Sequence, residues 1–230
     1  TLAHNETSTG VLSPLEQIAQ VVREESDALL YVDAVSSLAG ARVEAEAWGI
    51  DFLFTGAQKS MALPPGLAFF TVSGRLLERA EATPNRGYYT DLVRWRTKHL
   101  GSSTLTTPAV SQVFALDVQL NRMLEEGMEA RWQRHLALRA RTEEWAASRG
   151  FRYASQADGA SPTVSCLEPP AGVEAPKLVA ALAARDLVIG TGYGTWKPKT
   201  IRIGHMGEVR MDDLETLLAA IDEVVEEIRA

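Results

Sequence analysis

Asp33 and Lys59 each close an apolar run, residues 28–35 reading ALLYVDAV and residues 51–60 reading DFLFTGAQKS. A carboxylate after one buried strand and an amine after the next can converge at one edge of a parallel sheet, the edge where open α/β proteins bind ligands. A lysine there can form a Schiff base with a carbonyl, and an aspartate can hold a proton on a pyridine nitrogen. The pair points to pyridoxal phosphate chemistry. Each residue also has a plainer reading: Lys59 as a solvated surface lysine, Asp33 as a turn or cap residue. Lys59 is set apart by its place between a buried strand and the turn Ala62-Leu63-Pro64-Pro65-Gly66. Gly56, Ala57 and Ser60 around it leave room for a ligand beside the amine.

Other polar residues compete for attention. His4-Asn5-Glu6-Thr7-Ser8-Thr9-Gly10 follows an apolar strand end, and reads either as a ligand-binding cluster at the same sheet edge or as a Ser/Thr-rich turn into a helix. His4 and Glu6 are half a metal site at most, since His99, His135 and His205 fall at no ligand spacing from them. Arg202, in Thr200-Ile201-Arg202-Ile203-Gly204, is a charge inside a short apolar strand. On the cleft face its guanidinium would grip a carboxylate through two parallel hydrogen bonds; on the other face it is an outward residue of an edge strand. Residues 190–194, GTGYG, follow a strand but lead to no helix N-terminus, and read as a flexible turn rather than a phosphate loop. Cys166 lies in an expected strand with no basic neighbour in sequence and reads as a buried structural thiol.

These groups need an α/β frame. The first half alternates strand 1–3, a helix over 11–27 with its regular part at 14–26, strand 29–33 and strand 52–55. Ser13, Pro14 and Glu16 form a capping-box signature, and Leu15, Ile18, Ala19 and Val22 repeat at helical spacing. Strand 67–72 follows too soon for a helical crossover and is expected antiparallel to its neighbour. Residues 83–103 mix Gly, Pro, aromatics and Arg and read as an irregular surface segment. A long helix starts at Thr107 and Pro108, with apolar Val110, Val113, Phe114, Leu120 and Leu124. Gly127 interrupts it, and Gly150 caps its continuation. The remainder reads as strand 163–167, helix 176–185, strands 187–189 and 200–203, and helix 212–228. The division expected is 1–106 for part of a large domain, 107–127 for a connecting helix and 128–230 for a small α+β domain.

Composition sets broad limits. The chain has 230 residues, 46% hydrophobic and 23% charged, with a net charge of −7, so nucleic acid and anionic membrane surfaces are poor partners. No apolar run is long enough to span a bilayer, and residues 1–20 lack the pattern of a secretory signal. The one cysteine fits a reducing compartment, and a cytoplasmic location is expected. The chain opens without Met on what reads as the tail of a strand already under way, so it is expected to be a fragment.

HNETSTG, YVDAVSSLAG, TGAQKSMALPPG and IRIGHMGE, in this order and with compatible spacing, resemble the class V aminotransferases of the fold-type I pyridoxal phosphate enzymes. The likeness is greatest to the alanine–glyoxylate, serine–pyruvate and serine–glyoxylate group. The resemblance runs over essentially the whole chain. It implies the C-terminal portion of a large, mostly parallel sheet domain plus a small α+β domain, and a homodimer with active sites at the interface. It makes Lys59 the cofactor-binding lysine and proton carrier, and Asp33 the partner of the pyridine nitrogen. Val35 would pack on the ring, Thr7 would approach the cofactor, Gln58 would lie beside its phosphate, and Thr106 would reach the phosphate of the neighbouring subunit. Arg202 would bind the substrate α-carboxylate. Ser103 departs from relatives that carry a tyrosine near this place. Family members also have an N-terminal segment before the HNETSTG motif, which supplies a glycine-rich phosphate loop, a ring-stacking residue and much of the dimer contact. The activity implied is transamination between alanine or serine and glyoxylate or pyruvate. Alternatives are a transaminase of an aminophosphonate or phosphoserine and an inactive fragment or interaction module of the same fold. A cysteine desulfurase needs a mobile cysteine, which Cys166 in a strand does not supply. The donor, the acceptor and the direction are not fixed by these residues.

Overall fold

The computed structural model describes residues 1–156 and 158–230 in full and residue 157 by its backbone. In its first half, β1 (Leu2–Ala3), β2 (Asn5–Glu6), β3 (Val11–Leu12), α1 (Leu15–Glu25), β4 (Tyr31–Asp33), β5 (Phe52–Gly56) and β6 (Ala68–Val72) follow one another, then α2 (Gly74–Glu81) and α3 (Leu92–Leu100). The first sheet runs β1-β4-β5-β6. β1, β4 and β5 are parallel, while β6 is antiparallel to β5 with Gly56 opposite Ala68. Val32, Ala34 and Leu53 point to one face and bury themselves with Leu15 and Ala19 of α1, as period-two strands and a 3.6-period helix require. The opposite face carries an aromatic row, Tyr31, Phe52 and Phe70, with ring centroids 5.4 and 5.7 Å apart, closed by Trp95 of α3 set edge-on to Phe70.

The second half comprises α4 (Val110–Glu126), α5 (Met128–Arg149), β7 (Arg152–Tyr153), β8 (Val164–Glu168), α6 (Ala175–Ala183), β9 (Gly190–Thr191), β10 (Ile201–Gly204) and α7 (Met211–Arg229). Its sheet is antiparallel, in the order β7-β8-β10-β9. One face packs Leu167, Ile201 and Ile203 against Leu138, Leu178, Leu182, Leu214, Leu218 and Ile221 of the helices. The other face presents Cys166 and Arg202, directly paired across β8 and β10. The β2–β3 hairpin of the first half covers it: Gly10 O accepts from Ser161 N–H at 2.9 Å, and Cys166 Sγ donates to Ser8 O at 3.4 Å.

Several expectations are corrected. Val11 and Leu12 are not helical, because they pair as a strand with Glu6 and Asn5. No capping box forms on α1: Ser13 donates its hydroxyl to Ala3 O at 2.9 Å instead, and Pro14 occupies the cap position. The segment read as irregular contains α3, whose first turn is capped by the Asp91 carboxylate accepting from Val93 N–H and Arg94 N–H. The strand expected at 187–189 lies at Gly190–Thr191, inside the segment read as a flexible turn. β10 is an inner strand between β8 and β9, so Arg202 is not on a sheet edge. Cys166, read as lacking a basic neighbour, has Arg202 across the ladder, although burial, the larger effect, raises its thiol above the usual range. Of the apolar residues of α4, Met123 joins a small core with Ala39 and Met61, with Leu116 packed against it, while Val110, Val113, Phe114, Leu120 and Leu124 stay exposed, Phe114 at 71% and Leu124 at 74%.

Candidate active site

Asp33 ends β4, and Lys59 follows the end of β5 by three residues, so both stand at the C-terminal edge of parallel strands. The loop after β5 is tightly folded, with Ala62 N–H donating to Lys59 O at 2.8 Å and Leu63 N–H to Ala57 O at 3.0 Å. Ala57 and Ser60 on either side are fully buried, which fixes the base of the lysine while its side chain stays half-exposed. Asp33 is oriented by its own turn, Oδ1 accepting from Val35 N–H at 2.9 Å. A cleft of about 410 Å³ opens here, lined by Asn5, Glu6, Thr7, Ser8, Asp33, Val35, Ser36, Lys59, Tyr193 and Arg202, with Ala3 at its base. That volume suits a small ligand or cofactor.

Arg202 reaches this cleft from the second sheet. Its Nε donates to Thr191 O at 2.8 Å and Nη1 to Thr7 O at 3.2 Å. Nη2 has no protein partner among the described residues. The Tyr193 ring lies over the guanidinium, 5.5 Å from centroid to Cζ. Across the cleft Thr7 Oγ1 and Ser36 Oγ share a hydrogen bond of 2.6 Å. Hydrogen bonds from Ser8 hold the Glu6 carboxyl below the usual carboxylate range, and Arg202 acts in the same direction. The cleft therefore sets two cations, Lys59 and Arg202, against two carboxylates, Asp33 and Glu6. Asn5 is 6% exposed, yet neither its side-chain oxygen nor its side-chain nitrogen has a partner among the described residues.

The structure thus brings Thr7, Asp33, Val35, Lys59 and Arg202 together on one cleft. Gln58 and Thr106 are not among its lining residues. Both are exposed, with Gln58 folded back over Gly56, where an added Cβ would stand 2.9 Å from its Oε1. Sequence reasoning singled out neither Ser36 nor Tyr193, took Asn5 and Ser8 only as members of a polar cluster, and weighed Glu6 beyond that only as half a metal site. Ser36 carried a signal, standing three residues after Asp33 in the same motif. Tyr193 carried none, because only the β9–β10 pairing places it over Arg202.

A family model described as Aminotransferase class-V matches residues 1–216. The chain belongs to the class-V aminotransferase family. It is 35% identical over 228 residues to a protein named soluble hydrogenase, small subunit, of Synechococcus sp. (strain PCC 6716), spanning 99% of this chain and 59% of that protein. It is 36% identical over 232 residues to an uncharacterized aminotransferase of Methanocaldococcus jannaschii, spanning 99% and 60%. Among solved structures, an alanine–glyoxylate aminotransferase from Nostoc sp. superposes with a TM-score of 0.90 at 30% identity, covering 97% of this chain and 60% of that one. The chain thus has the fold-type I architecture and spans about 60% of the length of these relatives.

The residues present fit pyridoxal phosphate, the cofactor of this fold type. The cleft offers an amine and a carboxylate at one sheet edge, hydroxyls from Thr7, Ser8 and Ser36, and a buried Asn5 amide in want of partners.

Proposed function

We propose that the chain carries the catalytic centre of a pyridoxal-phosphate-dependent aminotransferase, transferring an amino group between alanine or serine and glyoxylate or pyruvate. The observation that carries this reading is the convergence of Lys59, Asp33 and Arg202 on one cleft from two different sheets. When bound, the cofactor supplies an electron sink for the pair left at the substrate Cα. Lys59 Nζ would hold the cofactor, and it is the group placed to remove and return the Cα proton. Asp33 keeps the pyridine nitrogen protonated. Val35 packs on the ring, and Thr7 hydrogen-bonds the cofactor. Arg202 takes the substrate α-carboxylate with the donors it does not spend on Thr191 and Thr7, orienting Cα toward Lys59. Tyr193 over the guanidinium narrows the space beside the carboxylate, which suits small side chains.

Gln58 would serve the phosphate, and Thr106 that of a neighbouring subunit in a homodimer, roles that their exposure on the single chain leaves open to them. The apolar stripe of Val110, Phe114, Val118 and Leu124 on α4 supports such an assembly. Residues 1–106 form part of the cofactor domain, 107–127 the connecting helix and 128–230 the small domain. The single buried Cys166 supports a reducing compartment, the cytoplasm. Among the described residues no helix is long and apolar enough to cross a membrane.

The test is amino transfer by the purified protein supplied with cofactor. Alanine or serine with glyoxylate or pyruvate should give product, and replacing the amino donor by phosphoserine or an aminophosphonate should abolish turnover. Turnover with the phosphorylated donors alone would overturn the substrate class.

A further inference from the structure

Arg131 lies on α5 with its side chain wholly buried. A buried guanidinium is tolerated only when its donors and its charge are both answered, and here each arm has a partner. Nε donates to Ala39 O at 3.1 Å and Nη2 to Ser60 O at 2.9 Å. Nη1 meets Glu126 Oε2 at 2.9 Å and Glu208 Oε1 at 2.8 Å. The choice of carbonyls is informative. Ser60 adjoins Lys59, and Ala39 lies in the loop after β4, the strand that ends in Asp33. Ala39 holds the left-handed conformation at φ 71°, a strained geometry for a residue with a Cβ and one that needs fixing from outside. Glu208 stands on the turn that leaves β10, the strand carrying Arg202, and also accepts from Gln119 Nε2 at 2.7 Å. The same turn rests on the lysine loop at Gly207, with φ 76°, where an added Cβ would come within 3.1 Å of Ala62 Cβ.

We propose that Arg131 is a positioning residue, its guanidinium keying the Lys59 loop to the β10 turn and so fixing the amine of Lys59 relative to the guanidinium of Arg202. The inference rests on the aminotransferase reading of the cleft. Its physical basis is that the path Lys59–Ser60–Arg131–Glu208–β10–Arg202 is continuous, with charge-assisted hydrogen bonds from Arg131 joining two short stretches of backbone. A lysine at 131 keeps the charge but not the planar fork, and cannot hold two carbonyls and two carboxylates at once.

The test compares Arg131→Lys with Leu178→Val, a core change in the small domain away from the cleft, at matched loss of Tm. In cofactor-free protein, hydrogen exchange across residues 57–66 should be about 10-fold faster in Arg131→Lys than in wild type, and unchanged in Leu178→Val, the scale expected for local opening. In the holoenzyme at equal cofactor occupancy, the single-turnover rate with alanine should fall by about 10- to 100-fold in Arg131→Lys only, the scale of a small misplacement of a reacting group. If Arg131→Lys does not fold, Glu208→Gln, at a partly exposed position, is expected to give the same pattern with smaller amplitude. Wild-type exchange in the lysine loop of the variant, or an equal change in Leu178→Val, would overturn the proposal. Failure of the wild type to take cofactor would instead count against the reading of the cleft, while the exchange experiment still decides whether Arg131 holds the loop.

Discussion

Arg202 divides its donors between the fold and the cleft, with Nε on Thr191 O and Nη1 on Thr7 O. The internal bonds set the plane of the guanidinium, and in the proposed reaction what they leave free takes the substrate carboxylate. Arg202→Lys should therefore raise KM for the amino donor by about 10- to 100-fold, the equivalent of one or two charge-assisted hydrogen bonds, while cofactor loading stays at the wild-type level. Steady-state kinetics alongside an absorbance measure of bound cofactor would check both halves. At this scale much of the site was legible in the sequence, because Asp33, Lys59 and Arg202 are charges that interrupt or terminate apolar runs. Arg131 was less so. It lies on the buried stripe of α5 with His135, Leu138 and Thr142, and a charge at such spacing reads equally as a solvated residue until its partners, far away in sequence, are known.

The β2–β3 hairpin is one of the elements on which the two halves meet, and Gly10 is its most constrained point. It holds φ 67°, and an added Cβ would stand 3.0 Å from Val164 O and 3.1 Å from Cys166 N. Gly10→Ala combines a left-handed strain with a contact against backbone that cannot yield, and should cost about 1–3 kcal/mol. Urea denaturation monitored by tryptophan fluorescence would measure it. Strand and helix order was largely readable from hydrophobic period, as for α7 and β5. The failures share a cause, which is that tertiary pairing outweighed local signal. Val11 and Leu12 fit helical spacing but found partners in Glu6 and Asn5. Ser13 was suited to cap α1 but met Ala3 O first. α3 was obscured by its mixed composition, and only the Asp91 cap, paired with Arg86 at 2.9 Å, marks where it begins.

Across the whole molecule, three histidines buried around the junction of the two sheets govern acid stability. Burial pushes His4, His135 and His205 down to about 4. His135 is held neutral on both sides, Nδ1 bonding to Arg131 O at 2.7 Å and Nε2 accepting from Gly207 N–H at 3.1 Å. Unfolded, each titrates near the ordinary histidine value of 6.5. Between these values the unfolded chain binds protons that the folded chain refuses, so stability falls as pH drops from about 6.5 to about 4, by up to about 3 kcal/mol per histidine. Glu126 acts in the same sense at lower pH. Hydrogen bonds from Arg134 and then Arg131 outweigh desolvation and hold it at about 2, so its contribution is present above about 4.5 and lost as pH falls toward 2. Urea midpoints at pH 7, 5.5 and 4.5 should decline steadily. A midpoint unchanged between pH 7 and 5 would contradict the buried, neutral histidines.

The most direct measurement for the cleft is a visible absorption spectrum of the protein after addition of pyridoxal phosphate and removal of the excess, with Lys59→Ala in parallel. The account predicts a band in the wild type that is absent from Lys59→Ala and bleaches on addition of alanine or serine. A spectrum identical in wild type and Lys59→Ala would contradict it.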